Sequence, residues 1–249
     1  MFMAIALLLL PAASQAENTS QTFPIDARVG LNGLEGLIEQ QLNFTLASLK
    51  ALAATEDATS GDWNRMRPPL EKLATGMPAQ AAIWFARPDG AYFTVEKGLT
   101  DQNLKDRTYF PRLMGGEDIH GELVVSKSTG KKSAIVATPL TKDGRVIGAL
   151  GMSVSDEALS AIVQDTLRLP GEIVFYALDQ RGQTALHRDS KLMFEFPSEM
   201  GSPSLASAVK TMLTEPQGAI EYEFRGKKKL VIFKRSVSTG WVFAVGIEK

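Results

Sequence analysis

A stripe of leucine and isoleucine residues recurs at helical spacing near the start of the chain and constrains its fold more than any other feature. The spacing predicts one long amphipathic helix, capped by Asp26 and ending near Glu56. We expect its apolar stripe either to cover the sheets predicted below or to mediate a homodimer. The members of the stripe are Leu34, Leu37, Ile38, Leu42, Leu46, Leu49 and Leu52.

A second, shorter helix is predicted from Asp62 to about Leu73, interrupted by Pro68 and Pro69. From residue 82 the helical period gives way to short apolar runs separated by turns, which indicates strands. The first block of strands covers 82–85, 92–95, 123–125, 133–139 and 146–154.

Helices are also expected within and after this block. Asp106 is the predicted cap of a short helix that reaches Met114, and Asp156 opens a helix before the second block. Ser202 caps a further helix, with Pro203 at its favoured first position. The strands of the second block are 173–178, 184–187, 219–224, 229–234 and 241–247.

The two blocks resemble each other, with a repeat of roughly 90 residues that suggests duplicated domains rather than a solenoid. The predicted fold class is α+β: a long N-terminal helix followed by two antiparallel-sheet modules with helices at their sides. The expected divisions are a signal peptide (1–16), an N-terminal helical region (17–80), a first module (81–155), and a helix plus second module (156–249).

The N-terminus has the pattern of a secretory signal peptide. Residues 2–10 are apolar, Pro11 breaks the run, and Ser14-Gln15-Ala16 reads as a cleavage site before Glu17. No Lys or Arg precedes the apolar run, which departs from the usual pattern. We therefore expect an exported, periplasmic protein.

Composition excludes several classes of function. The chain has no cysteine, which excludes disulfides, thiol catalysis and zinc–thiolate sites. Its net charge of -1 provides no basic excess for nucleic acid. His120 and His187 lack metal-ligand spacing, so neither a metal nor a cofactor is expected. His187 is interpreted as a surface residue, and the run 227–229, three lysines, as a solvated turn.

Four motifs in the first block, taken together, resemble the Cache sensor family. They are the R-x-Y-F segment at 107–110, the S-x-x-T-G turn at 126–130, the A-x-P strand at 137–139 and the G-x-V-I-G strand at 144–148. The segment 240–243 resembles a second closing strand. The resemblance covers nearly the whole mature chain. It implies a double-Cache fold, in which two PAS-like modules are stacked along one helix and the first holds an amino acid, organic acid, amine or similar metabolite.

The family usually continues into a membrane helix and an output domain. This sequence ends at Lys249, just after its last strand, so we expect either a free-standing periplasmic form or a fragment. A free-standing form would signal through a membrane-bound receptor or kinase. A non-enzymatic role in signal transduction or chemotaxis is therefore expected.

The resemblance singles out a set of candidate ligand-binding residues. Arg107 offers a planar fork to a carboxylate, and Tyr109 matches the family aromatic residue two positions later. Alternation along the opening hairpin places Trp84 and Tyr92 on one face, as pocket wall or as core. The set is completed by Lys127, Ser128 and Asp156.

The same residues also indicate the ligand type. The amino-acid-binding subset of the family has an aromatic residue before the arginine and acidic residues later. Here Gln102 and Asn103 precede Arg107, and Lys127 falls near one expected acid. Asp156 is either another such acid or a helix cap. A carboxylate without an amine suits Arg107 and Lys127 better.

Two alternatives from other classes remain open. Ser128 and Lys131 match the S-x-x-K motif of penicillin-recognising hydrolases, but they fall on a predicted hairpin turn instead of a helix. The second alternative is a protein-interaction module without a small ligand. A ligand should raise the thermal stability of a binding module, whereas only a partner protein should stabilise an interaction module.

Overall fold

A computed structural model of the protein describes residues 26–76 and 80–248. The predicted signal peptide lies outside the described residues. None of the helices in these two ranges combines the length and apolar composition that a membrane span requires.

The helices are α1 (Ala27–Ala53), α2 (Glu56–Thr59), α3 (Trp63–Gly76), α4 (Phe110–Met114), α5 (Asp156–Leu167) and α6 (Pro203–Thr214). The strands are β1 (Gln80–Ala86), β2 (Ala91–Thr94), β3 (Gly98–Asn103), β4 (Ile119–Val125), β5 (Lys132–Lys142), β6 (Arg145–Ser155), β7 (Ile173–Leu178), β8 (Thr184–His187), β9 (Gln217–Phe224), β10 (Lys227–Arg235) and β11 (Val242–Glu248). Two short 3₁₀ turns lie at Ser190–Leu192 and Pro197–Glu199.

The strands form two antiparallel sheets with matching strand order. The first sheet has the order β3-β2-β1-β6-β5-β4, and the second has β8-β7-β11-β10-β9. Apart from the extra edge strand β3, each strand of one sheet has a counterpart in the other. The predicted α+β class and the internal repeat are therefore confirmed, whereas β3 escaped the prediction because its residues are mostly polar and exposed.

Helix α1 packs against the inner face of both sheets. Asp26 caps it as predicted, since its side chain accepts a hydrogen bond from the Arg28 N–H at 2.9 Å. The apolar stripe is buried in one continuous core with residues such as Phe85 of the first sheet and Phe243 of the second. Because the buried residues of the stripe are covered by the two sheets of the same chain, they do not form the dimer surface considered as an alternative. Its fully buried members are Leu34, Ile38, Leu42 and Leu49.

The outer face of each sheet has a smaller core of its own. On the first sheet this core lies under α4 and the segment before it, and includes Trp84, Tyr92 and Tyr109. On the second sheet it lies under α6 and includes Tyr176 and Tyr222. Both sheets thus use one face to bind α1 and keep the opposite face for a separate apolar layer.

Specific polar contacts join the two sheets. The indole Nε1 of Trp241 donates a hydrogen bond of 3.0 Å to the carbonyl of Gly121 on β4. Gly121 has φ +86, and a Cβ there would lie 3.3 Å from the Trp241 ring, so a glycine suits both the backbone and the contact. Lys132 on β5 donates to the Met193 carbonyl at 2.6 Å. Apolar packing against α1 is not directional, so these hydrogen bonds set the orientation of one sheet relative to the other.

Two of the expected helix boundaries are wrong. Helix α3 continues through Pro68 and Pro69, because the buried side chains of Met66 and Leu70 hold it against the core. Pro68 is exposed, and Pro69 is half-buried beside these two residues. Helix α4 begins at Phe110, without a side-chain cap. Asp106 instead pairs with Lys127 across the neighbouring turn, a tertiary contact that the local sequence does not reveal.

Asp156 occupies the first position of α5, but the cap of this helix is Ser155, whose side chain accepts a hydrogen bond from the Ala158 N–H. The Asp156 side chain is completely buried, and its carboxyl oxygens have no hydrogen-bond partner among the described residues. Burial raises the pKa of Asp156 well above its usual range. The Ala134 backbone N–H, which is not in full hydrogen-bond geometry, and the charge of Lys132 oppose this shift only partly. The folded protein therefore favours the protonated carboxyl.

A glycine on β6 controls the position of a tryptophan on β1. Gly151 pairs with Trp84, and a Cβ at Gly151 would lie 2.1 Å from the indole ring. We expect Gly151→Ala to lower the free energy of unfolding by about 1–3 kcal/mol, because the ring must move within a packed layer. Gly36→Ala is the matched control, since Gly36 lies on α1 with nothing near its Cβ position. It should raise the free energy of unfolding by roughly 0.5–1 kcal/mol. Urea denaturation measures both, and equal effects would contradict this packing.

Replacing Asp156 with Asn should stabilise the protein at neutral pH. Because folding raises the pKa of the Asp156 carboxyl, the folded protein keeps this proton after the unfolded chain has lost it. The free energy of unfolding of the wild-type protein therefore falls as the pH rises above 3.8, the pKa of the carboxyl in the unfolded chain. Asp156→Asn has no such pH dependence, so its free energy of unfolding at pH 7 should exceed that of the wild-type protein by more than about 1 kcal/mol. The difference between the two proteins should vanish towards pH 4. A pH-independent difference between the two urea denaturation curves would contradict the assignment.

Candidate ligand site

A small pocket lies on the outer face of the first sheet, between the sheet and the segment that leads into α4. It brings together six of the seven predicted site residues: Trp84, Tyr92, Arg107, Tyr109, Lys127 and Ser128. The other lining residues are Leu104, Val124, Ser126, Ile135 and Ser153. That these residues bind a ligand remains a prediction.

The aromatic wall of the pocket follows from strand register. Ala86 on β1 pairs with Tyr92 on β2, so Trp84, two residues before Ala86, points to the same face of the sheet as Tyr92. Tyr109 closes the wall from the segment before α4, and all three aromatic side chains are buried. Burial raises the pKa of Tyr92 and of Tyr109, so both phenols stay protonated and can donate hydrogen bonds.

Arg107 enters the pocket from the same segment. One Nη atom donates a hydrogen bond of 2.6 Å to the Val125 carbonyl, which anchors the guanidinium. Its Nε atom is buried without a hydrogen-bond partner among the described residues. The buried Tyr92 hydroxyl has the hydroxyl groups of Thr100 and Ser128 nearby, but neither is in full hydrogen-bond geometry. Within the same residues, Arg107 forms no ion pair with Asp101 or Asp106. One donor inside the pocket is therefore unsatisfied, and a second is only weakly satisfied.

Lys127 and Ser128 lie on the turn between β4 and β5. The Lys127 ammonium donates to the Asp106 carboxylate at 2.5 Å and to the Asn103 carbonyl at 2.6 Å. The hydrogen bond from Lys127 holds the pKa of Asp106 below its usual range. This ion pair connects the turn to the segment that carries Arg107, and so spans one side of the pocket.

The charges of the pocket favour an anion. Its described lining contains the cations of Arg107 and Lys127, and no Asp or Glu among the side chains. The cavity volume is only ≈ 10 Å³, about enough for a single water molecule. The structure therefore represents a closed pocket, which must open to admit a ligand.

Asp156 does not join the other predicted residues, because it lies buried at the start of α5 and not in the lining. Ser126 and Ser153 do line the pocket, although they were not predicted. Ser153 is a polar residue within the apolar run of β6, and this break in the pattern was the available signal. Across the described ranges, no group of three His, Asp or Glu side chains is placed to hold a metal ion.

Comparison with known proteins identifies the family. A family model described as Cache domain matches residues 12–249. No curated protein matches the sequence.

Solved structures share the fold at low sequence identity. The sensory domain of the Campylobacter jejuni chemoreceptor Tlp3 with isoleucine bound is 15% identical, with a TM-score of 0.64 over 89% of this chain and 88% of that one. The ligand-binding domain of the Pseudomonas aeruginosa PAO1 amino acid chemoreceptor PctB in complex with L-Arg is 14% identical (TM-score 0.68; 89% and 92% covered). The sensor domain of the V. cholerae histidine kinase DctB is 12% identical (TM-score 0.67; 89% and 95% covered).

These likenesses agree with the two stacked sheets and the long N-terminal helix. The family match extends over nearly the whole sequence, from the predicted signal peptide to the last strand. This chain therefore belongs to the Cache domain family.

Proposed function

We propose that this protein is an extracytoplasmic, non-enzymatic sensor module that binds a small organic acid in the pocket of the first sheet. The observation that carries the proposal is the buried Arg107 Nε atom, which has no hydrogen-bond partner among the described residues, beside the weakly bonded Tyr92 hydroxyl in a pocket with two cations. An unsatisfied buried polar group costs about 1–3 kcal/mol. A ligand that accepts hydrogen bonds from both donors recovers this cost.

The charge balance separates organic acids from amino acids. The neighbouring structures include sensor domains with isoleucine and with L-Arg bound. An amino acid carries an ammonium group as well as its carboxylate, and a buried ammonium needs an anionic partner. Because the described lining lacks Asp and Glu side chains, a carboxylate without an amine fits this pocket better.

Opening of the pocket involves the ion pair between Lys127 and Asp106. The Asp106 side chain is 70% exposed, so this surface pair adds little stability and can exchange partners. A ligand carboxylate can replace Asp106 as the partner of Lys127 and also accept from Arg107. Ligand binding would thereby change how the β4–β5 turn is held against the segment before α4.

The predicted signal peptide supports a periplasmic location, and the family supports a role in signal transduction or chemotaxis through a membrane-bound receptor or kinase. The hydrolase alternative gains no support, since Ser128 lies on a turn between two strands and not at the start of a helix. The protein-interaction alternative predicts that no small molecule stabilises the protein.

A thermal-shift comparison of succinate with aspartate, and of lactate with alanine, tests the ligand class. The members of each pair differ in charge mainly through an ammonium group. At a hundred times its dissociation constant, a bound acid should add about 2.7 kcal/mol of stability and raise Tm by several degrees. We expect the organic acids to be favoured over their amino-acid counterparts, within a wider panel of metabolites. A preference for the amino acids would contradict the charge argument, and a panel without any hit would favour the interaction module.

Arg107→Met should abolish the stabilisation by an organic acid found in that screen. A charge-assisted hydrogen bond contributes about 1.5–3 kcal/mol, so affinity should fall at least about tenfold. Arg145→Met is the matched control, because Arg145 is an exposed arginine on β6 of the same sheet. Isothermal titration calorimetry measures both variants. If both variants lost affinity equally, or if neither lost any, the ligand would have to bind outside this pocket.

A further inference from the structure

The second sheet has its own cavity on the face that corresponds to the pocket of the first sheet. Both lie opposite α1, and the strand orders of the two sheets match. The cavity has an inner part of ≈ 30 Å³ and an outer cleft of ≈ 350 Å³. His187, Leu192, Phe224 and Lys229 line both parts, so the two parts adjoin at these side chains; together they are here called the second-sheet cavity.

The inner part is apolar with hydroxyl groups at its base. Leu205 and Val209 of α6 form one wall, and Tyr176 and Tyr222 of the sheet form the other. The Tyr222 hydroxyl lies 3.3 Å from the Tyr176 hydroxyl, which donates onward to the Met212 sulfur at 3.6 Å. The tyrosine hydroxyls therefore have partners in the core, and the inner part presents an apolar wall that, at ≈ 30 Å³, has room for the end of an apolar group.

Lys229 is a charged residue at a core position. It shares the inward row of β10 with Val231 and Phe233 and is only 9% exposed, whereas Lys228 on the opposite face is exposed. Its interpretation as part of a solvated turn is wrong, because the alternation of the strand turns one lysine of the run inward. A buried ammonium costs several kcal/mol of desolvation, so an apolar residue would serve packing better.

The Lys229 ammonium has weak compensation. Among the described residues its one ion pair is to Glu248 at 3.4 Å, a long contact that nevertheless helps to lower the pKa of Glu248. Glu248 is shared with Lys227, whose hydrogen bond holds the pKa of Glu248 below its usual range. The Lys229 ammonium also lies 5.6 Å from the centre of the Phe224 ring. It is thus available to an additional anion in the cavity.

His187 provides a second donor beside Lys229. It was expected at the surface but is largely buried, and burial lowers its pKa to about 4, so the ring is neutral at physiological pH. Its Nδ1 atom accepts a hydrogen bond of 2.8 Å from the Asp189 N–H. The proton of the neutral ring must then lie on Nε2, which is free to donate to a ligand.

The charged groups of the outer cleft leave a positive balance. Its lining contains four Lys and Arg residues against the carboxylates of Asp189 and Glu248. Arg188 is occupied by backbone carbonyls, whereas Arg225 has a long contact of 3.7 Å with Asp189 and lies over the Phe224 ring, 5.0 Å from its centre. The mouth of the cavity is therefore cationic while its inner end is apolar.

We propose that the second-sheet cavity is a second ligand site, which binds an amphipathic monocarboxylate with a small aromatic or aliphatic body. The apolar body points towards Tyr176 and Tyr222, and the carboxylate accepts hydrogen bonds from Lys229 and His187. The size of the outer cleft is in the range of small-molecule sites. This site is separate from the first-sheet pocket and does not depend on the function proposed for that pocket.

Calorimetric titration with phenylacetate and with hexanoate tests the proposal, with phenylacetamide and hexanamide as uncharged counterparts. The acids should bind and the amides should bind at least about tenfold more weakly, because the amides lack the charge that Lys229 recognises. Lys229→Met should reduce the affinity for the acids at least about tenfold. Lys228→Met is the matched control and should bind as the wild-type protein does. Equal binding of acids and amides, or full affinity in Lys229→Met, would overturn the proposal.

Nuclear magnetic resonance provides a readout that does not rely on a variant of the buried lysine. The chain has only two histidines, so the ring signals of His187 and His120 are readily distinguished. Phenylacetate should shift the His187 signals and leave those of His120 in place, and the shift should persist in Arg107→Met. A response lost in Arg107→Met but kept in Lys229→Met would assign the acid to the first-sheet pocket. That result would refute the second site and support the first, and no response at all would also refute the second site.

Discussion

The burial of one helical stripe organises this molecule. Each sheet has an apolar inner face, and α1 covers both faces at once with side chains such as Leu34, Ile38 and Leu42. Burial of such a side chain contributes about 1.5–3 kcal/mol, so a single helix supplies a large share of the cohesion between the sheets. The hydrogen bond from Trp241 to Gly121 and the contact of Lys132 with Met193 then set the orientation of one sheet relative to the other.

Because α1 occupies the inner faces, both proposed sites lie on the outer faces. There the two sheets differ. The first sheet encloses a closed pocket in which the Arg107 Nε atom lacks a hydrogen-bond partner among the described residues. The second sheet has a larger amphipathic cavity, with the buried Lys229 where its inner and outer parts adjoin. In both places a polar group occupies a buried position that packing alone would fill with an apolar residue, and this is the physical basis on which both are proposed as ligand sites.

Much of this architecture was predictable because its signals are local. The period of 3.6 in α1, the period of 2 in the strands and the turns that end in Gly are all encoded within a few residues. Six of the residues proposed for the first pocket also come together as expected, since strand alternation alone places Trp84 and Tyr92 on one face. The predictions of helix boundaries were wrong where a contact between residues distant in sequence outweighed the local preference. Buried Met66 and Leu70 carry α3 through two prolines, and Lys127 takes Asp106 away from a helix cap.

The sequence by itself determined the class of fold, the repeat of two sheet modules, the family, and the exclusion of thiol and zinc–thiolate chemistry. These follow from composition and from periodicities that the chain displays without folding. Only the tertiary structure decided which charged residues are buried. Lys229 and Lys228 are adjacent and chemically identical, yet one faces a core and the other faces water. Asp156 and His187 likewise acquired shifted pKa values from burial by elements distant in sequence. Desolvation depends on the complete three-dimensional surroundings of a group, and no local pattern specifies it.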